Sequence, residues 1–277
     1  MNILLTNDDG FQAKGLDTLI DIMRHFGMVT VVAPKFHQSG MSTAVSLGLR
    51  PVAFKDFGES EGVRRTYLDA TPASCVKFAI NYLFEDRLPD LLVSGINHGS
   101  NASTAACYSG TLGAAEEAAL NGIPAVGVSL NSMSADADFT AVRHFLPKLI
   151  EKISARKNRF GMYYNINFPA VSDISEIKGV RVCEMGLGKW VREFQDWDPD
   201  VLKKFGFAVD KLSYKAPEEG EKLYMMSGDY MDYDFSSKKA DNLYMNKGYI
   251  SVVPHNIVTT DKAEVAELEK EGFNIDF

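Results

Sequence analysis

The sequence predicts an α/β protein in which βαβ units surround a parallel sheet. Three observations predict it. Short apolar runs alternate with stretches of helical spacing through the first half of the chain. The segments that follow several of those runs are rich in Asp, Asn, Ser and Gly rather than in apolar residues. Beyond about residue 185 the periodicity fades, so an irregular extension follows the regular core.

Taken in order, Ile3 to Thr6 reads as a buried strand. The segment from about Gly15 to Phe26, with Leu16, Leu19, Ile20 and Met23 on one face, reads as the helix after it. Val29 to Ala33 is a second strand closed by Pro34. Residues 72 to 84 carry Val76, Ala79, Ile80 and Leu83 at helical spacing, and Leu91 to Ser94 is a strand. Thr111 to Leu120 is Ala/Glu-rich and helical, stopped by Asn121-Gly122 in the manner of a C-cap. Ala125 to Leu130 returns as a strand. Asp138 to Ser154 has a helical stripe that Pro147 should kink or split, and Met162 to Phe168 is a further strand. From about 186 to 237 an extension with a hairpin is expected. Residues 238 to 247 read as a helix, Tyr249 to Val253 as a strand and the residues after Asp261 as a last helix. The whole is expected as a single domain: a core over 1–185, an extension over about 186–255 and a C-terminal helix within 256–277.

Composition narrows the function. The chain has 277 residues, of which 45% are hydrophobic and 24% charged, ordinary values for a folded globular protein. A formal net charge of −8 repels polyanions, and no Lys/Arg cluster interleaved with aromatics offsets it, so a long nucleic acid is not expected as partner. No apolar stretch approaches the roughly 20 residues that span a bilayer, and no secretion signal opens the chain. Three widely spaced cysteines, Cys75, Cys107 and Cys183, suggest neither zinc nor redox chemistry, and fit a reducing, cytoplasmic setting.

In an open parallel sheet, ligands bind beyond the carboxyl ends of the strands, so the loops there form one surface. Thr6-Asn7-Asp8-Asp9-Gly10 places adjacent carboxylates after the first strand. Such a pair repels itself and is stable mainly when a cation neutralises it, although Asn-Asp-Asp-Gly is also good turn chemistry. His37-Gln38-Ser39-Gly40-Met41-Ser42 offers hydroxyls and main-chain amides. Ser94-Gly95-Ile96-Asn97-His98-Gly99-Ser100-Asn101 offers two amide carbonyls among glycines. An all-oxygen set of this kind selects Mg²⁺, Mn²⁺ or Ca²⁺ rather than zinc. Tyr108-Ser109-Gly110-Thr111 opens the Ala/Glu-rich helix, where free N–H groups and the helix dipole make an anion site, or a plain N-cap. A cation beside an anion cradle implies hydrolysis of a phosphate ester by activated water, with Asp9 or His98 as candidate proton acceptor. The other histidines show no ligand-like spacing.

In order and spacing these segments resemble the SurE family of 5′(3′)-nucleotidases, as do Thr71-Pro72 with Cys75-Val76 and Gly248 to Val252 with Pro254. The resemblance spans nearly the whole chain. It implies a Rossmann-like three-layer core with a mostly parallel sheet plus a C-terminal β-hairpin arm. It implies one divalent metal ion per subunit held by Asp8, Asp9, Ser39 and Asn97, with Asp8, Asp9 and Asn97 catalytic. Phosphate contacts fall to Asn7, Gly40, Gly99, Asn101, Ser109, Gly110 and Thr111. It further implies a cytoplasmic enzyme acting on nucleoside monophosphates, with polyphosphate as a second substrate in some members. A homodimer or homotetramer exchanging the arm over about 220 to 255 is also implied. The chain departs from the family pattern at Ala102 to Cys107, where a Gly and an acidic pair are usual, and at Ser74, where Asp is usual. A receiver-type or nucleotide-binding switch is the rival reading, but it needs a third Asp where this chain has Ser94 or Asn97. A haloacid dehalogenase needs Asp-x-Asp, not Asp-Asp.

Overall fold

The computed structural model describes residues 1–48, 51–134, 136–198, 200, 217–226, 228–233 and 237–275. The expected extension therefore lies partly outside the described residues, at 199, 201–216, 227 and 234–236, and the end of the expected C-terminal helix does so at 276–277. Strands β1 (Asn2–Thr6), β2 (Met28–Pro34), β4 (Val63–Leu68), β5 (Leu91–His98), β6 (Ala125–Leu130) and β7 (Met162–Phe168) form the parallel heart of a nine-stranded sheet. Its order is β3-β4-β2-β1-β5-β6-β7-β13-β8, where β3 is Phe54–Ser60, β8 is Val180–Val182 and β13 is Ile250–Asn256. β3 and β13 run antiparallel to β4 and β7 respectively. The expected α/β class is met, in three layers.

Alternation along the strands sorts side chains to the two faces. Ile3 and Leu5 join the core under helices α1 (Lys14–Met23) and α4 (Thr140–Ser154). Leu4 joins the opposite core, under α2 (Pro72–Phe78) and α3 (Gly110–Leu120). Helix α3 buries Ala114, Ala115, Ala118 and Ala119, small residues that bring its axis close to the sheet. The chain winds from β1 outward through β2 to β4, then returns across β1 to β5. The order therefore reverses between β1 and β5, which is where a doubly wound sheet opens a ligand crevice.

Four elements differ from the expectation. Helix α4 is continuous through Pro147 rather than split: burial of Val142, Leu146, Leu149 and Ile150 outweighs the one hydrogen bond that proline forfeits. Strand β5 runs on from Ser94 to His98, carrying Asn97 inside the sheet. The periodicity leaves 54–68 unassigned, yet it forms β3 and β4, because β3 is a charged edge strand exposed over nearly all its length. Finally, Ile250–Asn256 lies in the main sheet, between β7 and β8, and not in an arm. The hairpin itself is built from β9 (Gly188–Val191) against β12 (Asp229–Asp232) and β10 (Phe194–Asp196) against β11 (Tyr224–Met226). A short helix, Asp241–Met245, leads back to the sheet, and the terminal helix Lys262–Lys270 is N-capped by Asp261.

Candidate functional site

Asp8 and Asp9 follow β1 at the crevice, and each of the other three polar segments touches them. From the second segment, the Gln38 amide donates to the Asp8 carbonyl at 2.7 Å. From the third, the His98 main-chain N–H donates to Asp9 Oδ2 at 3.0 Å. From the fourth, Thr111 donates twice to Asp8, through its N–H to Oδ2 at 3.1 Å and its hydroxyl to Oδ1 at 2.6 Å. The second and fourth are also joined directly, the Ser42 amide donating to the Tyr108 carbonyl at 3.0 Å.

The N-terminus of α3 rests on Asp8. A Cβ added at Gly110 would lie 2.9 Å from the Asp8 Cβ and 3.1 Å from its Oδ2, so only glycine permits this approach. Ser109 caps the helix, its hydroxyl accepting from the Leu112 N–H at 3.1 Å. The first turn and its dipole thus face the acidic pair. Asn97, nearly buried, donates from Nδ2 to the Gly99 carbonyl at 2.8 Å, which leaves its amide oxygen as a cation donor. Asn7 donates to the Gly10 carbonyl at 2.9 Å, while its Oδ1 is buried without a hydrogen-bond partner. Gly40 (φ +75°) and Ser39 are exposed, immediately after Gln38.

Behind the third segment lies a ladder of buried amides. Asn167 Oδ1 accepts from the Asn101 N–H at 2.8 Å, Asn165 donates to the Asn101 carbonyl at 2.9 Å, and Asn101 Nδ2 donates to Ser129 Oγ at 2.8 Å. Asn167 Nδ2 in turn donates to Asn165 Oδ1 at 2.9 Å. Sequence reading passes over Asn165 and Asn167 because they look like ordinary members of a strand; their alternation with Tyr164 and Ile166 is the signal that could have found them.

Electrostatics mark the pair. Burial, reinforced by the Asp9 charge, raises the Asp8 carboxyl from the usual 3.8 to about 6, against the pull of the Thr111 hydrogen bonds. His37, to which sequence gives no role, brings Nδ1 to 3.5 Å from Asp9 Oδ1, and that contact raises its pKa. His98 serves through its main chain; its ring stacks on Phe139 with centroids 5.3 Å apart and buries an unpartnered Nε2. Among the described residues no cluster of three or more His, Cys, Asp or Glu side chains forms a metal site. A cation here would meet two carboxylates and neutral oxygens. The residues fit such an ion: the donors are oxygens, Asn7 keeps an orphaned buried one, and burial together with the neighbouring Asp9 charge disfavours the ionised Asp8.

An open α/β sheet with an acidic pair at its switch point, faced by a helix N-terminus and an amide-bearing loop, defines a protein of the Rossmann-like class. The family model described as Survival protein SurE matches residues 3–192. The chain is 36% identical over 272 residues to the 5′-nucleotidase SurE of Cytophaga hutchinsonii, covering 97% of this chain and 96% of that one. It is 35% identical over 278 residues to the 5′-nucleotidase SurE of Christiangramia forsetii, covering 98% and 97%. The crystal structure of the SurE protein from Aquifex aeolicus superposes with a TM-score of 0.76 at 24% identity, over 98% of this chain and 99% of that chain, and shows the same fold. The chain belongs to the SurE family.

Proposed function

We propose that the chain hydrolyses phosphate monoesters, chiefly nucleoside 5′-monophosphates, with one divalent cation per subunit, Mg²⁺, Mn²⁺ or Ca²⁺. The observation that carries this reading is the convergence of three other polar segments on Asp8 and Asp9. The names of the curated relatives support the substrate class. Nucleoside 3′-monophosphates and short polyphosphate share the terminal phosphoryl group and fall within the same reading.

Asp8, Asp9, Ser39 and Asn97 would hold the cation. When bound, it polarises the phosphorus–oxygen bonds and acidifies water. The rest is done by the chain. Gly40 and Gly110 present main-chain N–H groups to the phosphoryl oxygens and Ser109 its hydroxyl, whereas the Gly99 N–H is committed to the Leu130 carbonyl, so Gly99 shapes the loop instead. Thr111 orients Asp8, Asn7 shapes the turn and Asn101 fixes the loop, so these three act by placement more than by direct contact. With the His98 ring packed on Phe139, Asp9 accepts the proton of the attacking water.

Phosphate release from AMP is expected to stop on chelation and to return with Mg²⁺ or Mn²⁺. Activity that survives chelation contradicts the reading.

The β10–β11 strand pair of the hairpin exposes Phe194, Tyr224 and Met226, a patch suited to a second copy, so a cytoplasmic homodimer or homotetramer joined through the arm is part of the proposal. Light scattering after size exclusion tests it. No described helix is long and apolar enough to cross a membrane.

A further inference from the structure

Next to Asn97, a cavity of about 520 Å³ opens between the third polar segment and the hairpin. Its walls include Trp190, Tyr230, Met133, Met245, Asn131 and Asn246, and none of the described residues that line it is Lys, Arg, Asp or Glu. Trp190 on β9 and Tyr230 on β12 are direct cross-strand partners, with ring centroids 5.8 Å apart and planes at 69°. The Tyr230 hydroxyl is hydrogen-bonded to Ser103 Oγ, so that ring is fixed to the turn following the amide loop. Gly188 makes room for it: a Cβ there would lie 2.4 Å from the Tyr230 hydroxyl oxygen. Trp190 keeps 39% of its surface exposed beside the cavity.

The hairpin is anchored from its root. Asp241, with no exposed surface, accepts the Ser103 N–H on both carboxylate oxygens and the Gly186 N–H on Oδ1, each at 3.0 Å. One side chain thereby joins the start of the hairpin, the short helix at 241–245 and the turn at 103. All three carry walls of the cavity.

We infer that this cavity is the subsite for the nucleoside of the substrate, with the Trp190 indole as the face on which the base stacks. The inference rests on the proposed phosphomonoesterase reading and extends it to specificity. A cavity of this volume admits a nucleoside, its floor is shared with the cation-binding loop through Asn97 to Gly99, and its walls are aromatic, thioether and amide. Neutral walls read a base by stacking and by amide hydrogen bonds rather than by charge. Purines, with the larger π-face, are therefore preferred over pyrimidines.

Two measurements on the full chain test this, one without turnover. In a Trp197→Phe background, adenosine at millimolar concentration quenches the Trp190 fluorescence; absence of quenching overturns the subsite whether or not the protein is active. In steady state, Trp190→Ala lowers kcat/KM for AMP about tenfold, as expected for a lost base–aromatic stack, chiefly through KM. Ribose 5-phosphate, which has no base, changes less than about twofold, and Trp190→Phe restores most of the AMP activity. Equal losses on both substrates, or none on AMP, overturn the assignment. A wild-type chain that quenches with adenosine yet cleaves neither ester refutes the phosphatase reading and leaves the nucleoside subsite standing.

Discussion

Replacing Asp8 by Asn should stabilise the cation-free protein while abolishing its activity. Asp8 is almost wholly buried, and its carboxyl is raised from 3.8 to about 6 by burial first and by Asp9 second. A carboxyl whose folded-state pKa exceeds its unfolded value binds protons more tightly when folded. Its stability contribution is therefore full below about pH 4 and is lost as the pH rises through about 6. The gap between 3.8 and about 6, at about 1.4 kcal/mol per pKa unit, corresponds to about 3 kcal/mol at pH 7 to 8. Asparagine keeps both contacts, its oxygen accepting the Thr111 N–H and its Nδ2 donating to the Thr111 hydroxyl. For a chain of this size 3 kcal/mol moves Tm by about 5 °C or slightly more. The assay is thermal unfolding in chelator across pH 4 to 8. Asp8→Asn should match wild type near pH 4 and exceed it at pH 8. A difference that does not grow with pH, or a variant less stable at pH 8, refutes the reasoning. Added Mg²⁺ should raise the wild-type Tm and leave that of the variant unchanged, since only the former gains binding free energy.

Gly110→Ala forces a methyl to within 2.9 Å of the Asp8 Cβ, so α3 or Asp8 must move; activity on AMP should fall at least tenfold while far-ultraviolet circular dichroism is preserved. Asn167→Ala strands the buried Asn101 N–H, at a cost of about 1–3 kcal/mol in denaturant unfolding, and should raise KM for AMP by loosening the loop from Asn97 to Asn101.

Much of the core was legible because apolar spacing is a direct record of burial. Met162–Phe168 and Ala125–Leu130 coincide with their sequence limits, since each is buried on both faces and bounded by turn residues. β3 escaped notice because a charged edge strand carries no burial signal, and β8 because three exposed residues gain their strand character from pairing with β13. Pro147 does not split α4, because propensity is local and core packing is not. At the site, the pairing of Asp8 with Asp9 is written in consecutive residues. The second donation from Thr111, the approach of His37 and the diversion of the His98 ring all depend on contacts across long stretches of chain, which spacing does not encode. The resemblance to a family supplied the link between loops that local chemistry alone left open.

The position of β13 between β7 and β8 bears on how the chain comes off the ribosome. All four segments that meet at Asp8 and Asp9 precede residue 112, so the acidic crevice can assemble on a nascent chain. The strand that covers β7 emerges only after residues 169–249 have been synthesised. Until then β7 is a bare hydrogen-bonding edge rich in apolar side chains, the form of surface on which partly made chains pair with one another. Synthesis of that long connection is the interval in which this fold most needs a chaperone.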